Sequence, residues 1–214
     1  AMGKKKMQEG FDPMPGGFNM IPFNDIEAVK EAITEDVAAF IIEPVQGEGG
    51  SIPAPDQWLR ELRRITREHD VPLVIDEIQA GVGRTGSMYA FEHADIVPDA
   101  VLLSKAVGGG VPLSVVVYHE RYDKWSSGAH VGTFRGHQLG MADGRAALTY
   151  IVENNLPAHA ANVGERLQNR LRDTATGRPE LADVRGRGLM LGVEIVDTDA
   201  PVDENGSHPP NEAL

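Results

Sequence analysis

Two short runs hold the residues whose chemistry asks for an explanation. In DAVLLSKAVGGGVPLS, Asp99 to Ser114, the apolar residues Val101, Leu102 and Leu103 read as a buried strand. That strand stops at Ser104-Lys105, and Gly108, Gly109 and Gly110 follow. A lysine at the mouth of a buried strand loses hydration. Desolvation lowers an amine's pKa and frees its lone pair to attack a carbonyl and form a Schiff base. The glycines let the backbone approach something flat or bulky. Taken alone, such a lysine is more often an ordinary strand-end residue that reaches out to water. Upstream, VPLVIDEI, Val71 to Ile78, is a near-continuous apolar run closed by Asp76 and Glu77. Runs of that kind are typical of parallel strands buried on both faces, and sites in open α/β sheets lie at the strands' carboxyl ends. Asp76 and Lys105 are therefore expected at one edge of one sheet. A lysine Schiff base with an acid that keeps a ring nitrogen protonated is the arrangement pyridoxal phosphate uses.

The elements that must position this pair alternate along the chain. Phe11 to Phe23, rich in proline and glycine, reads as loop. Asn24-Asp25 supplies an N-cap to a short amphipathic helix marked by Ile26, Val29 and Ile33. Val37 to Ile42 reads as a buried strand closed by Glu43-Pro44. The GEGG beyond it lacks the GxxxxGK[ST] pattern of a phosphate loop. Pro55 opens a helix in which Trp58, Leu59, Leu62 and Ile65 recur at helical spacing, with Arg60, Arg63, Arg64 and Arg67 largely on a solvated side. Leu113 to Tyr118 is a further strand. Gln138 to Asn154 and Pro157 to Thr174 read as helices, Gly188 to Val196 as a strand, and Asp197 to Leu214 as loop. This alternation predicts an α/β domain with a mostly parallel sheet.

Composition excludes several classes. The 214 residues suffice for one large or two small cores, and 41% hydrophobic with 24% charged is ordinary for a globular chain. A formal net charge of −12 argues against a nucleic-acid partner or an anionic membrane partner. The absence of cysteine rules out a disulfide framework and a thiolate metal site, and is consistent with a cytoplasmic location. His130 and His137 have no partners at metal-ligand spacing, so no metal is assigned. No apolar run approaches the roughly 20 residues of a spanning helix.

Four segments, IIEPVQGEGG (Ile41 to Gly50), VIDEIQAGVGRTG (Val74 to Gly86), LLSKAVGGGVPL (Leu102 to Leu113) and GTFRGHQLGMA (Gly132 to Ala142), follow one another in order. Together they resemble the signature blocks of the class III, ω-type aminotransferases of fold type I. The resemblance implies a pyridoxal 5'-phosphate-dependent α/β fold. Residues 1–136 would be part of the large cofactor-binding domain, and residues 137–214 a connecting helix with part of a small α+β domain. Lys105 would carry the cofactor and move the proton, Asp76 would pair with the pyridinium nitrogen, and Gln79 would lie near the phenolic oxygen. Thr133 matches a threonine that bonds the cofactor phosphate of a neighbouring subunit, which implies a homodimer with shared sites. Glu43 matches a glutamate that pairs with a substrate-binding arginine and gates between two substrates. In residue terms alone, Glu43 is equally a strand cap, Thr133 equally a surface turn, and Arg135 equally an anion contact or a structural ion pair. The family's phosphate loop, its stacking aromatic and its distal carboxylate-clamping arginine have no match here. The chain therefore reads as the middle of a longer enzyme, beginning mid-fold, and is expected not to bind cofactor tightly or turn over by itself. The opening AMGKKKMQEG is otherwise a solvated basic tail.

Within the family, the W…GAH.GTFRG pattern around Trp125 to Gly136 resembles the diaminobutyrate–2-oxoglutarate type, whereas Gly10 to Val29 looks more like the acetylornithine or ornithine type. The expected reaction moves a terminal amino group from a diamino acid such as 2,4-diaminobutyrate to 2-oxoglutarate by a ping-pong mechanism. An acetylornithine- or ornithine-type aminotransferase, or a racemase or aminomutase on the same fold, is the alternative. Outside the class, the Asp76-Glu77 strand end resembles the Mg²⁺-holding acid of P-loop ATPases, but no Walker lysine loop accompanies it. An inactive truncated fragment is the remaining reading.

Overall fold

The chain's short apolar runs become the strands of one sheet, and the polar-faced runs become the helices laid on it. In the computed structural model, which describes residues 8–204 and 206–211, the order is α1 (Ile26–Ala32), β1 (Phe40–Ile42), β2 (Val45–Gln46), β3 (Ile52–Pro53), α2 (Asp56–Glu68), β4 (Leu73–Asp76), β5 (Ala100–Leu103), β6 (Val115–Tyr118), α3 (Gln138–Glu153), α4 (Leu156–Ala175), β7 (Leu181–Arg187) and β8 (Met190–Ile195). Most of the basic opening run, residues 1–7, lies outside the described residues. The main sheet has the order β1-β4-β5-β6. The first three strands are parallel and β6 runs antiparallel at the edge, so the sheet is mostly parallel as expected. Two small antiparallel pairs, β2 with β3 and β7 with β8, stand apart from it.

Local chemistry explains the ends. Asp25 caps α1 by accepting from the Ala28 N–H at 3.0 Å. Pro55 sits one residue ahead of α2, at the N-cap rather than at the first helical position. The long helical stretch after residue 137 is two helices, divided at Asn155, whose left-handed conformation (φ 47°) starts α4. The strands are shorter than the apolar runs that announce them: β1 forms only from Phe40, and β4 only from Leu73. Neither β7 nor the β2–β3 ribbon is apparent in the sequence, because LADVRGR lacks an apolar run and two-residue strands carry no periodicity.

One sheet face is closed by α1 and α2, where Leu59, Leu62, Ile65, Val29, Leu73 and Ile75 form the main core. The opposite face is not. The register puts Ile41 beside Val74 on β4, and Leu102 of β5 beside Val116 of β6. Ile41 is 56% exposed and Val116 is 58% exposed. This corrects the expectation of burial on both faces. The strands are apolar enough for two covers, and the described residues cover one face, with Val117 at its β6 edge still 52% exposed. Near β5 and β6, α3 adds a partial second cluster around Val107, Leu113, Leu148 and Ile151.

The asymmetry is measurable. Leu62→Ala, at a fully buried position, is expected to cost about 2–5 kcal/mol. Val116→Ala on the open face should stay within about 0.5 kcal/mol. Urea unfolding of the two variants checks this, and equal losses would mean that the second face is covered in solution.

Candidate active site

The site is built by the parallel pairing of β4 and β5. Their register sets Asp76 beside Leu102, and the ladder ends with the Glu77 N–H donating to Leu102 O at 2.9 Å. Past that bond both strands must turn off the sheet, β4 into Ile78-Gln79 and β5 into Ser104-Lys105. Asp76 and Lys105 thus lie at the same carboxyl edge, as expected. Asp76 and Glu77 alternate across the strand and face opposite ways. Asp76 is half-buried, and its Oδ1 accepts from the Ile78 N–H at 2.9 Å. Glu77 is fully buried. Its Oε1 accepts from the Phe91 N–H at 2.9 Å, while Oε2 has no partner. Burial pushes the Glu77 carboxyl up to about 7, against the opposing pull of the Ala90 and Phe91 N–H groups. Of the two acids, only Asp76 is presented to the strand edge.

Lys105 has a positive φ of 49°, a conformation that costs a non-glycine residue about 1–2 kcal/mol and persists only where neighbours over-determine it. Those neighbours are visible. Ser104 Oγ donates to Leu113 O at 2.8 Å, and the Gly110 N–H donates to Asp143 Oδ2 of α3 at 2.9 Å. A Cβ on Gly144 would stand 2.7 Å from Val107 O, so only glycine lets α3 approach the Lys105 turn this closely. The burial expected of Lys105 is not present. Its side chain is exposed, because the strand end is sealed beneath it by Leu103 and Val107 but nothing among the described residues covers it from above. The desolvation argument for its reactivity therefore does not hold in this structure.

Lys105 opens onto a cleft of about 390 Å³ whose lining includes Gly47, Gln79, Arg84, Met190 and Leu191. Gln79 joins Lys105 there through an unforeseen device. The Gln79 amide occupies the space that a side chain on Gly47 would need. The Gly47 N–H in turn donates to Glu43 Oε2 at 2.8 Å. Glu43 thus caps the turn after β1 and does not line the cleft. Thr133 stands apart in an exposed turn, and Arg135 beside it is exposed as well. The structure therefore gathers Lys105 and Gln79 in one cleft and sets Asp76 at the neighbouring strand end, outside the cleft's lining. It ties Glu43 to them through one backbone bond and leaves Thr133 outside. The fully buried Glu77, the Asp143 anchor and Arg84 were not anticipated as parts of the site; glycine spacing in GEGG and GVGRTG was the only available signal.

An amine on an over-determined turn, a carboxylate at the neighbouring strand end and an amide wedged against Gly47 are the donor set a pyridine-ring cofactor needs, so the residues fit the group. The chain belongs to the aminotransferase class-III family, whose model matches residues 1–205. It is 56% identical over 174 residues to a diaminobutyrate–2-oxoglutarate aminotransferase of Rhizobium meliloti, covering 81% of this chain and 37% of that protein. It is 41% identical over 196 residues to an acetylornithine aminotransferase of Methanothermobacter thermautotrophicus, covering 91% and 50%. Among solved structures, an ornithine aminotransferase of Toxoplasma gondii matches with a TM-score of 0.88 at 36% identity, covering 95% of this chain and 48% of that one. The chain thus spans between about a third and a half of the length of these relatives. Class III aminotransferases depend on pyridoxal phosphate.

Two outcomes test the local geometry. Gly47→Ala should displace the Gln79 amide, so Gly47→Ala and Gln79→Ala are each expected to weaken capture of pyridoxal phosphate about 2–10-fold, the worth of one hydrogen bond, with no further loss in the double variant. Additive losses would show the two residues act separately. For Glu77, the folded state holds its proton more tightly than the ordinary 4.5 of the unfolded chain. Its stabilising contribution is complete below pH 4.5 and is lost as pH rises through about 7. Relative to Glu77→Gln, the native chain's melting temperature should fall across that window; parallel profiles would refute the assignment.

Proposed function

We propose that this chain is part of an enzyme that moves a terminal amino group from a diamino acid such as 2,4-diaminobutyrate to 2-oxoglutarate in ping-pong fashion. The observation that carries the reading is the placement of Lys105 and Asp76 at adjacent parallel strand ends, with Lys105 opening on a cleft shared with Gln79. The 56% identity to a diaminobutyrate–2-oxoglutarate aminotransferase supports the choice of donor. Pyridoxal phosphate, when bound, supplies an electron sink for the carbon that loses its proton. In this reading Lys105 Nζ holds the cofactor and then carries that proton between carbons. The Asp76 carboxylate pairs with the ring nitrogen and keeps it protonated. The Gln79 amide donates toward the ring's phenolic oxygen. Thr133, on an exposed turn, donates to the phosphate in a partner subunit's site, which makes the enzyme a homodimer with shared sites. Glu43 serves as the substrate gate. Its bond to the Gly47 N–H couples that gate to Gln79, because releasing Glu43 frees the turn against which the Gln79 amide rests. Residues 1–136 belong in this reading to the large domain and residues 137–214 to the connecting helix and small domain of a cytoplasmic enzyme.

The acetylornithine or ornithine type is the second reading, supported by the 41% identity to an acetylornithine aminotransferase and by the likeness to the Toxoplasma structure. Offering 2,4-diaminobutyrate, ornithine and acetylornithine in competition to the enzyme that carries this chain separates the two. For the chemistry itself, borohydride reduction in the presence of pyridoxal phosphate should add one cofactor mass, with the label on the Lys105 peptide, and Lys105→Ala should lose it. A label spread evenly over the other lysines would sink the reading.

A further inference from the structure

The roles above leave the fully buried Glu77 without a task, although it stands between Asp76 and the turn that carries Gln79. Its polar atoms grip the loop that follows β4 at both ends. The Glu77 carbonyl accepts from the Gly81 N–H at 3.0 Å, closing the turn on which Gln79 sits. Its Oε1 accepts from the Phe91 N–H at 2.9 Å, 14 residues on, where the loop returns. Its own N–H, bonded to Leu102 O, keeps this grip in register with the strand that leads to Lys105. The turn winds closely about the side chain: a Cβ on Gly81 would stand 2.8 Å from Glu77 O and 3.1 Å from Oε2. The return is consolidated as well, since Phe91 stacks on Tyr89 at 5.4 Å and the Tyr89 N–H donates to Glu92 Oε2 at 3.1 Å. Between the two holds lie Ile78, Gln79 and Arg84, all in the lining of the cleft. An apolar side chain would fill the same space without the cost of desolvating a carboxyl, a cost that Oε2, with no partner among the described residues, does nothing to offset. Burial, together with Glu92 and Asp76 nearby, pushes that carboxyl up to about 7, against the pull of the Ala90 and Phe91 N–H groups. Below that pH the hook is an uncharged acid, which a carboxamide can imitate.

We propose that Glu77 is a positioning residue for Gln79: its buried carboxyl and its carbonyl clasp the two ends of the loop after β4 and thereby hold the Gln79 amide in the cleft beside Lys105. The consequence for cofactor capture rests on the role given to Gln79 in the aminotransferase reading, and the clasp on the contacts of Glu77 alone. The enzyme that carries this chain is compared, at about pH 6 where Glu77 is protonated, with Glu77→Ala, Glu77→Gln, Gln79→Ala and the double variant Glu77→Ala/Gln79→Ala. Leu62→Ala serves as the control for general destabilisation. Amide hydrogen exchange is read in peptides covering residues 78–91 and 56–68, and capture as the pyridoxal phosphate concentration that half-labels Lys105 under borohydride. Glu77→Ala is expected to speed exchange in 78–91 about tenfold while 56–68 stays within about twofold. It should weaken capture as much as Gln79→Ala does, about 2–10-fold, with no further loss in the double variant. Glu77→Gln should restore both to within about twofold of the native enzyme. Equal acceleration in the two segments overturns the proposal, because Glu77 would then support the core at large, and so does an equal loss of capture in Leu62→Ala. Additive losses in the double variant, unchanged capture in Glu77→Ala beside a loss in Gln79→Ala, or no rescue by Glu77→Gln overturn it too. If Gln79→Ala leaves capture unchanged, the role given to Gln79 fails and exchange across 78–91 decides the clasp. Should Glu77→Ala not fold, Glu77→Asp, which draws the carboxyl back by one methylene, takes its place with the same outcomes.

Discussion

The end of the β4–β5 ladder is the constraint from which the site follows. Parallel strands hold their neighbours in a fixed register, so the last shared bond, from the Glu77 N–H to Leu102 O, decides where both chains leave the sheet. One departure presents a carboxylate, the other an amine. The opposite faces of successive residues then leave Asp76 half-buried at the strand edge and turn Glu77 to the interior, where its oxygen holds the Phe91 N–H and fixes the far end of the glycine-rich loop. Asp99 does comparable work at the other end of β5. Burial alone would raise its pKa, but Arg63, the Leu73 N–H and Arg121 reverse that and hold its carboxyl below the ordinary range. Acids thus hold both ends of the β4–β5 pair.

Much of this was legible in the residues, for reasons that differ from element to element. The apolar runs around Ile75 and Leu103 announced buried strands, and the Asp25 cap and the Leu59–Leu62–Ile65 stripe announced helices, because these signals are local. The pairing of Asp76 with Lys105 was legible because parallel strands end on one side. What failed was non-local. LADVRGR becomes a strand only because β8 supplies its hydrogen-bond partners and Arg185 donates to Gly50 O at 2.8 Å. The exposure of Lys105 could not be read from its neighbours in sequence, since it depends on what lies above a strand end. The wedge of Gln79 against Gly47 is likewise a contact between loops 32 residues apart, where a glycine marks only that space is needed, not what fills it.

The cleft itself joins parts of the chain that have little else in common. Its amine comes from the β5 end, its amide and guanidinium from the loop after β4, and its apolar wall partly from the β7–β8 turn. Ion pairs at the back of that hairpin, Arg187 with Asp56 at 2.7 Å and Arg185 with Glu194 at 2.5 Å, hold it against the start of α2 and within itself. Partly buried arginines of this kind fix orientation more than they add stability. In a chain with strong negative charge overall, the lining of this cleft contains no acid.

The corner where Gly188, Thr85 and α4 meet has a further consequence. Three backbones from distant stretches touch there without side chains between them: a Cβ on Gly188 would lie 2.5 Å from the Thr85 carbonyl carbon, and one on Gly164 would collide with Gly188 O. Surfaces in such contact cannot slide past one another without opening a void, and voids in close-packed protein are costly. The hairpin and the Arg84 loop must therefore travel together. Any breathing of this cleft has to pivot outside that corner, and the left-handed Asn155 between α3 and α4 is the one break in the helical run that leads to it.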